Sequence, residues 1–149
     1  ARLGMKDHIE TILSKNPDAI LQLDSKGQNV LHHALLSNDQ EVVKFLIERN
    51  VYVNTVADDG TTPLHVLVQW LPEKEIASML ILKGANLNAQ RVDGQTPLHL
   101  AVSMGYQDIV ELLLENGANP QLKTTNGSTA IDLAKQRKRE NILAVLNKG

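Results

Sequence analysis

Glycines recur along this chain at Gly27, Gly60, Gly94 and Gly127, with spacings of 33, 34 and 33 residues. Three further columns repeat in the same register: an aliphatic residue, then a histidine or aspartate, then a small or aliphatic residue. These columns are Leu31, Leu64, Leu98 and Ile131; His32, His65, His99 and Asp132; and Ala34, Leu67, Ala101 and Ala134. A unit of this length cannot cover its own apolar face, so neighbouring units must stack on one another. The period therefore predicts a stack of similar units.

Within each period the residues indicate a turn followed by two helices. In Gly94-Gln95-Thr96-Pro97-Leu98-His99, the glycine suits a turn, the threonine an N-cap and the proline the first helical position. A second helix is predicted over 107–114, because Ile109, Leu112 and Leu113 share one face at helical spacing. Each unit is therefore predicted to be a helix–turn–helix.

Two repeats depart from this pattern in ways that affect their helices. Asn29-Val30 replaces Thr-Pro in the first full repeat, which predicts a weaker N-cap there. The second has one extra residue around Trp70-Leu71-Pro72, where the usual turn glycine is missing. We expect Pro72 to fix the start of the second helix at this irregular turn.

The Gly-x-Thr-Pro-Leu-His motif and the Leu-Leu-x-x-Gly-Ala-x-x-Asn ending resemble those of the ankyrin repeat family. The resemblance implies an all-α ankyrin-repeat solenoid of stacked helix–turn–helix units joined by β-hairpin-like loops. We expect a partial repeat over 1–23, repeats over 24–56, 57–90 and 91–123, and a C-terminal capping repeat over 124–149. The first unit lacks most of its first helix, and we favour a chain cut from a longer array over a natural half-cap because nothing before Met5 looks polar or cap-like.

No residue pattern indicates catalysis, a metal or a cofactor. There is no cysteine, no Gly-x-Ser-x-Gly and no phosphate-binding glycine loop. His32, His65 and His99 fall one per repeat, and packed helices lie about 8–10 Å apart, whereas Zn–N bonds are about 2.0–2.1 Å long. The resemblance implies that these histidines bind backbone at the turns, and His33 and His8 lack a carboxylate or a second histidine at metal-ligand spacing. We expect no enzyme.

Charge is distributed unevenly along the chain. Residues 1–122 carry a net charge of −6 and residues 123–149 carry +4, most of it in Lys135-Gln136-Arg137-Lys138-Arg139. This basic run is interpreted as a solvated turn of the last repeat, with a nuclear-localisation or nucleic-acid patch as the alternative. No aromatic residue interleaves it, so a base-stacking platform is missing, and the sequence argues against nucleic acid. No apolar run approaches the roughly 18 residues of a membrane span.

The resemblance implies a partner on a concave surface made by the hairpin tips and the exposed side of the first helices. The predicted contact residues are Leu36, Asp58, Asp59, Gln69, Trp70, Val92, Gln95, Met104 and Arg137. Leu36, Trp70 and Met104 are interpreted as one position in three successive repeats, and hence as an apolar stripe. The alternative is that Trp70 and Leu71 pack locally over the irregular turn. Asp58 and Asp59 make the second tip acidic and favour a basic partner segment.

We therefore predict a monomeric, intracellular protein–protein interaction module, a scaffold or adaptor that binds another protein or peptide. The expected location is the cytoplasm, with the nucleus as the alternative. A second hypothesis is a structural or regulatory ankyrin region of a larger protein, such as a channel, an enzyme or a bacterial effector. A third is a transcription-inhibitor-type regulator that uses the basic run.

Overall fold

In the computed structural model the backbone of residues 2–148 and the side chains of residues 4–148 are described, and the predicted repeats extend one residue beyond them at each end. Every regular element in this part of the chain is a helix, which confirms the all-α solenoid. The helices are α1 (Arg2–Lys15), a 3₁₀ helix (Pro17–Leu21), α2 (Val30–Leu36), α3 (Gln40–Glu48), α4 (Pro63–Trp70), α5 (Lys74–Leu82), α6 (Pro97–Met104), α7 (Gln107–Glu115), α8 (Ala130–Gln136) and α9 (Glu140–Asn147).

The helices form two rows. The first helices α2, α4, α6 and α8 pack side by side, and the second helices α3, α5, α7 and α9 form the other row. Each first helix also packs on the second helix of its own repeat, and α1 packs on α3 in the place of a second helix. No helix among residues 2–148 is both long enough and apolar enough to cross a membrane.

Aliphatic side chains fill the space between the two rows. Leu35, Leu67 and Leu113 are completely buried, and they belong to one continuous cluster that extends through all the repeats. Burying a side chain of this size contributes about 1.5–3 kcal/mol. The ring of Phe45, in α3, lies between the Lys6 ammonium (5.5 Å from the ring centroid) and the Arg49 guanidinium (4.9 Å). This contact helps to hold α1 on the end of the stack.

The N-cap of α2 is as complete as the others, so the expectation of a weaker cap there is wrong. The side-chain oxygen of Asn29 accepts the N–H groups of Leu31 (3.1 Å) and His32 (3.2 Å). Its amide nitrogen donates to the carbonyl of Tyr52 (2.8 Å) and the hydroxyl of Thr55 (3.0 Å). An amide both accepts and donates, so Asn29 caps its helix and also binds the chain that leads to the next repeat.

The irregular turn of the second repeat buries Leu71 and exposes Trp70. Leu71 is 3% exposed and Trp70 is 58% exposed, so local packing over the turn applies to Leu71 alone. Pro72 stands just before the N-cap residue Glu73, and α5 begins one residue later, at Lys74. Pro72 therefore lies outside α5, immediately before its N-cap.

The hairpin-like loops are joined to one another by backbone hydrogen bonds. The N–H of Asp58 donates to the carbonyl of Lys26 (2.9 Å), and the N–H of Val92 donates to that of Asp59 (2.9 Å). The N–H of Thr125 donates in the same way to Asp93 (3.0 Å). These bonds hold the four tips in one row along the edge of the solenoid.

A matched pair of alanine substitutions should separate backbone strain from steric contact in these loops. Gly94 and Gly127 both have φ +80°, but a Cβ on Gly94 would lie 2.7 Å from the Thr124 Cα, whereas one on Gly127 would meet nothing within 4 Å. We expect Gly127→Ala to reduce the free energy of unfolding by about 1 kcal/mol, because alanine is strained in the left-handed backbone conformation. Gly94→Ala should cost about 3 kcal/mol or more, because the neighbouring hairpin must also move. Urea unfolding measures both, and equal losses would contradict the close packing of the hairpins.

Candidate protein-interaction surface

The first helices end in exposed apolar side chains at two successive repeats. Trp70 ends α4 and is 58% exposed, and Met104 ends α6 and is 39% exposed. Each lies five residues after the buried histidine of its helix, His65 or His99, so the two share one helical position. Because α4 packs directly against α6, this position places the two side chains on the same side of neighbouring helices.

Leu36 does not share that position, and the interpretation of a three-residue stripe is wrong by one residue. Leu36 lies four residues after His32, and it is Ser37 that corresponds to Trp70 and Met104. One residue corresponds to about 100° around a helix. Leu36 is 45% exposed, but it points in a different direction from the Trp70–Met104 pair.

The second and third hairpin tips add two aspartates and a valine. Asp58 is exposed, and Val92, at the same position of the next hairpin, is 73% exposed. The carboxylate of Asp59 accepts the N–H of Thr61 (3.0 Å). Hydrogen bonding to Thr61, with the nearby Arg91 charge, holds the pKa of Asp59 below its usual value. Asp59 is therefore ionised at neutral pH, but part of its carboxylate is used within its own turn.

An arginine that the sequence reasoning missed lies between the tips and the helix ends. The Arg91 guanidinium donates to the Asp93 carboxylate (2.9 Å) and to the side-chain oxygen of Gln69 (3.3 Å). Asp93 in turn accepts the N–H of Gln95 (3.0 Å). Gln69 and Gln95, both predicted contact residues, are half-buried, and Gln69 is bound through its side chain but Gln95 through its backbone. The sequence contained a signal for Arg91, because the other repeats have Asp24, Ala57 and Thr124 at the corresponding position.

Three buried histidines connect the first helices α2, α4 and α6 to the hairpins that follow them, and they bind backbone at the turns, as the family resemblance implied. The Nε2 atoms of His32, His65 and His99 lie 3.1, 2.9 and 3.2 Å from the carbonyl oxygens of Thr61, Gln95 and Ser128. A carbonyl only accepts, so Nε2 carries the hydrogen, and Nδ1 accepts the N–H of the N-cap residue. Burial lowers the pKa of all three, that of His65 to about 4. They are neutral structural residues.

Side chains that could bind a metal do not come together in the part of the chain with described side chains. No group of three or more His, Asp or Glu residues is arranged to hold an ion. His33 does have a carboxylate partner, contrary to expectation, because its Nε2 lies 2.9 Å from the Asp24 carboxylate. Both residues belong to the first full repeat, and they form a pair without a third ligand.

The stability of the stack should decrease as the pH falls from about 6.5 to about 4. The unfolded chain protonates His65 near pH 6.5, but the folded chain does so only near pH 4, so between these values the unfolded state binds more protons. The shift corresponds to about 3 kcal/mol from His65.

Urea unfolding from pH 7 to pH 4 measures this loss. His65→Gln should have a flatter profile than the unmodified chain, because it lacks this buried ring. A proton NMR titration of the His65 ring with a midpoint near 6.5 would contradict the assignment.

The basic run divides into exposed and structural residues. Lys135, Arg137 and Lys138 are exposed, whereas Arg139 is half-buried and donates from Nη2 to the Ser103 carbonyl (3.0 Å). The Arg139 guanidinium lies against Gly105, where a Cβ would approach it to 2.9 Å. Arg139 therefore joins the last repeat to the C-terminal end of α6, and the interpretation of the whole run as a solvated turn is wrong at this residue.

Neutralising single residues of the run should distinguish these roles. We expect Arg139→Gln to reduce the free energy of unfolding by about 1–2 kcal/mol, because the Ser103 carbonyl, which is partly buried, loses its donor. Arg137→Gln should change it by less than about 0.5 kcal/mol, as is usual for exposed side chains. Thermal melts followed by circular dichroism make the comparison, and equal effects would contradict the structural role of Arg139.

Paired helices stacked in two rows, with a hairpin between successive pairs, define a repeat solenoid. The sequence matches the family model described as "Ankyrin repeats (3 copies)" over residues 1–91 and again over 73–149. The chain therefore belongs to the ankyrin repeat family. Ankyrin repeats are generally protein–protein interaction modules and are typically non-enzymatic.

Similar curated proteins are much longer than this chain. Rabankyrin-5 of Homo sapiens is 44% identical over 62 residues, which cover 40% of this chain and 5% of that protein. BCL-6 corepressor-like protein 1 of Homo sapiens is 35% identical over 65 residues (44% and 4%). A homolog of transient receptor potential cation channel subfamily A member 1 from Caenorhabditis elegans is 31% identical over 71 residues (48% and 6%). The chain thus spans only a small part of each relative's length.

Proposed function

We propose that this chain binds a peptide or domain of another protein, anchored on Trp70 and Met104. The partner lies across the inner face, which is the concave surface made by the hairpin tips and the exposed side of the first helices. The carrying observation is the 58% exposure of Trp70, the only tryptophan in the sequence, at the end of α4. Tryptophan is among the residues that dominate binding energy when they become buried in an interface. Met104 adds an adaptable apolar contact at the same position of the next repeat.

The charge of the neighbouring tip favours a basic segment in the partner. Asp58 is exposed, and no ion pair involves it among the residues with described side chains. Asp59 lies beside it, but its carboxylate is already hydrogen-bonded to Thr61 and lies near the Arg91 charge. Arg91 and Asp93 neutralise each other, so we assign the attraction of a basic side chain chiefly to Asp58.

Two other functions have support from the names of relatives. The Caenorhabditis elegans relative is by name a cation channel, which favours a structural or regulatory region of a larger protein. One Homo sapiens relative is by name a corepressor, which favours a regulator of transcription with a nuclear location. The basic run supports the latter less than its sequence suggested, because Arg139 serves the fold. We propose an intracellular location in each case.

Peptides selected from a displayed random library for binding to the chain would test the inner face. Trp70→Ala should weaken their binding by roughly 30-fold, and bound peptide should alter the Trp70 fluorescence. Leu82→Ala is the matched control, because Leu82 is 86% exposed but ends the second helix α5. Asp58→Asn should reduce the association rate at low salt.

Full affinity for the Trp70→Ala variant would overturn the proposal. Loss of binding only in an Arg137→Gln and Lys138→Gln double variant, with a steep salt dependence, would instead favour the basic run as the interaction site.

A further inference from the structure

The chain segments that lead from one repeat to the next present corresponding residues to solvent. In chain order these residues are Ala19, Leu21 and Leu23; Tyr52, Asn54 and Val56; Asn86, Asn88 and Gln90; and Asn119, Gln121 and Lys123. All are exposed except Ala19, which is half-buried. In the second segment the neighbouring residues Val51, Val53 and Ala57 are buried in the core, and they fix this segment on the fold. The row therefore has a defined orientation.

This row changes from apolar to polar along the solenoid. Leu21 (46% exposed), Leu23 (57%), Tyr52 (64%) and Val56 (57%) form what we call the flank patch. The corresponding positions of the last two segments hold asparagine, glutamine or lysine, and the second segment has its turn at the same place as these two, whereas Leu21 ends a 3₁₀ helix. Nothing in the fold thus requires apolar residues at Tyr52 and Val56. Apolar side chains grouped on an otherwise polar surface are typical of interaction sites.

The two halves of the patch are held together by the first full repeat. Asn29 donates its amide hydrogens to the Tyr52 carbonyl (2.8 Å) and to Thr55 (3.0 Å). The turn at Gly27 also lies against the Val56 carbonyl, which a Cβ on Gly27 would approach to 3.4 Å. The second segment therefore packs on the hairpin that directly follows Leu23.

An open hollow beside Tyr52 adds a positive charge to the patch. The hollow has a volume of about 400 Å³ and is lined by residues 50–55 and by Lys83. Lys83 is its only charged lining residue, and the Lys83 ammonium donates one hydrogen bond to the side-chain oxygen of Asn50 (2.9 Å). An ammonium has three donors, so two stay available to an acceptor.

We propose that the flank patch is a second interaction surface, whose occupant is a segment of another protein with an apolar side chain beside a carboxylate. The apolar side chain packs between Tyr52 and Val56, and the carboxylate accepts from Lys83. The complementarity with Lys83 selects this occupant over a basic one. The surface is formed by different residues from the Trp70–Met104 pair, so it does not depend on the inner face being used.

The test replaces patch residues by those that the next repeat carries at the same positions. In the Tyr52→Asn and Val56→Gln double variant the fold has a precedent, because Asn86 and Gln90 occupy these positions and Gln90 even donates to the Gly94 carbonyl (3.0 Å). A displayed random library of 12-residue peptides is selected on the unmodified chain, and the enriched peptides are synthesised. Their affinities for the double variant, Lys83→Gln and Trp70→Ala are measured by fluorescence anisotropy.

We expect one group of enriched peptides to contain an apolar residue next to Asp or Glu. These peptides should bind the double variant roughly tenfold or more weakly, Lys83→Gln roughly fivefold more weakly, and Trp70→Ala without change. Amidating their carboxylates should remove the effect of Lys83→Gln. The proposal is overturned if every enriched peptide binds the double variant with full affinity, or if binding is lost only on Trp70→Ala, a result that would leave the inner-face proposal standing.

Discussion

The hydrogen bonds of three buried histidines join the first helices α2, α4 and α6 to the hairpin of the next repeat. Each ring accepts from the N-cap of its own helix and donates to a carbonyl about thirty residues further on, so it serves two repeats at once. In the repeat that contains α8, Asp132 takes the position of the histidine, and its carboxylate accepts the N–H of Thr129 (2.9 Å). These ring hydrogen bonds align the tips together with the backbone hydrogen bonds between the hairpins.

The period of the sequence was sufficient to predict the helices, because it repeats the local signals that start and end them. Thr62 and Thr96 cap the helices at which the sequence placed them. The cap at Asn29 was underestimated because asparagine is at least as good an N-cap as threonine, and its oxygen accepts the local N–H groups of Leu31 and His32. Arg139 was misjudged because its partner Ser103 belongs to the preceding repeat. Local signals can be read from a sequence, but the partner of a long polar side chain cannot.

The candidate surfaces, too, depend partly on contacts that the sequence does not show. The exposure of Trp70 could not be derived from the sequence, because an inserted residue leaves open whether Trp70 or Leu71 turns inward. The bridge from Arg91 to Gln69 and Asp93 was visible only as a departure from the other repeats. The flank patch can be recognised by comparing corresponding positions, but only once the structure shows that these positions face solvent. In a repeat protein the other copies serve as an internal control, and a departure from them is informative when its surroundings are known.

Each helix pair contacts only the pairs beside it, and this has a mechanical consequence. Tension applied to the two ends of a globular core is resisted by many long-range contacts together, whereas here it acts on one interface at a time. Each helix pair is held by its neighbours, so under tension the pairs would detach one by one. The array would then lengthen in steps of about one repeat, each of them reversible while the next repeat stays folded as a template. A chain of this kind would extend under tension as well as present a binding surface.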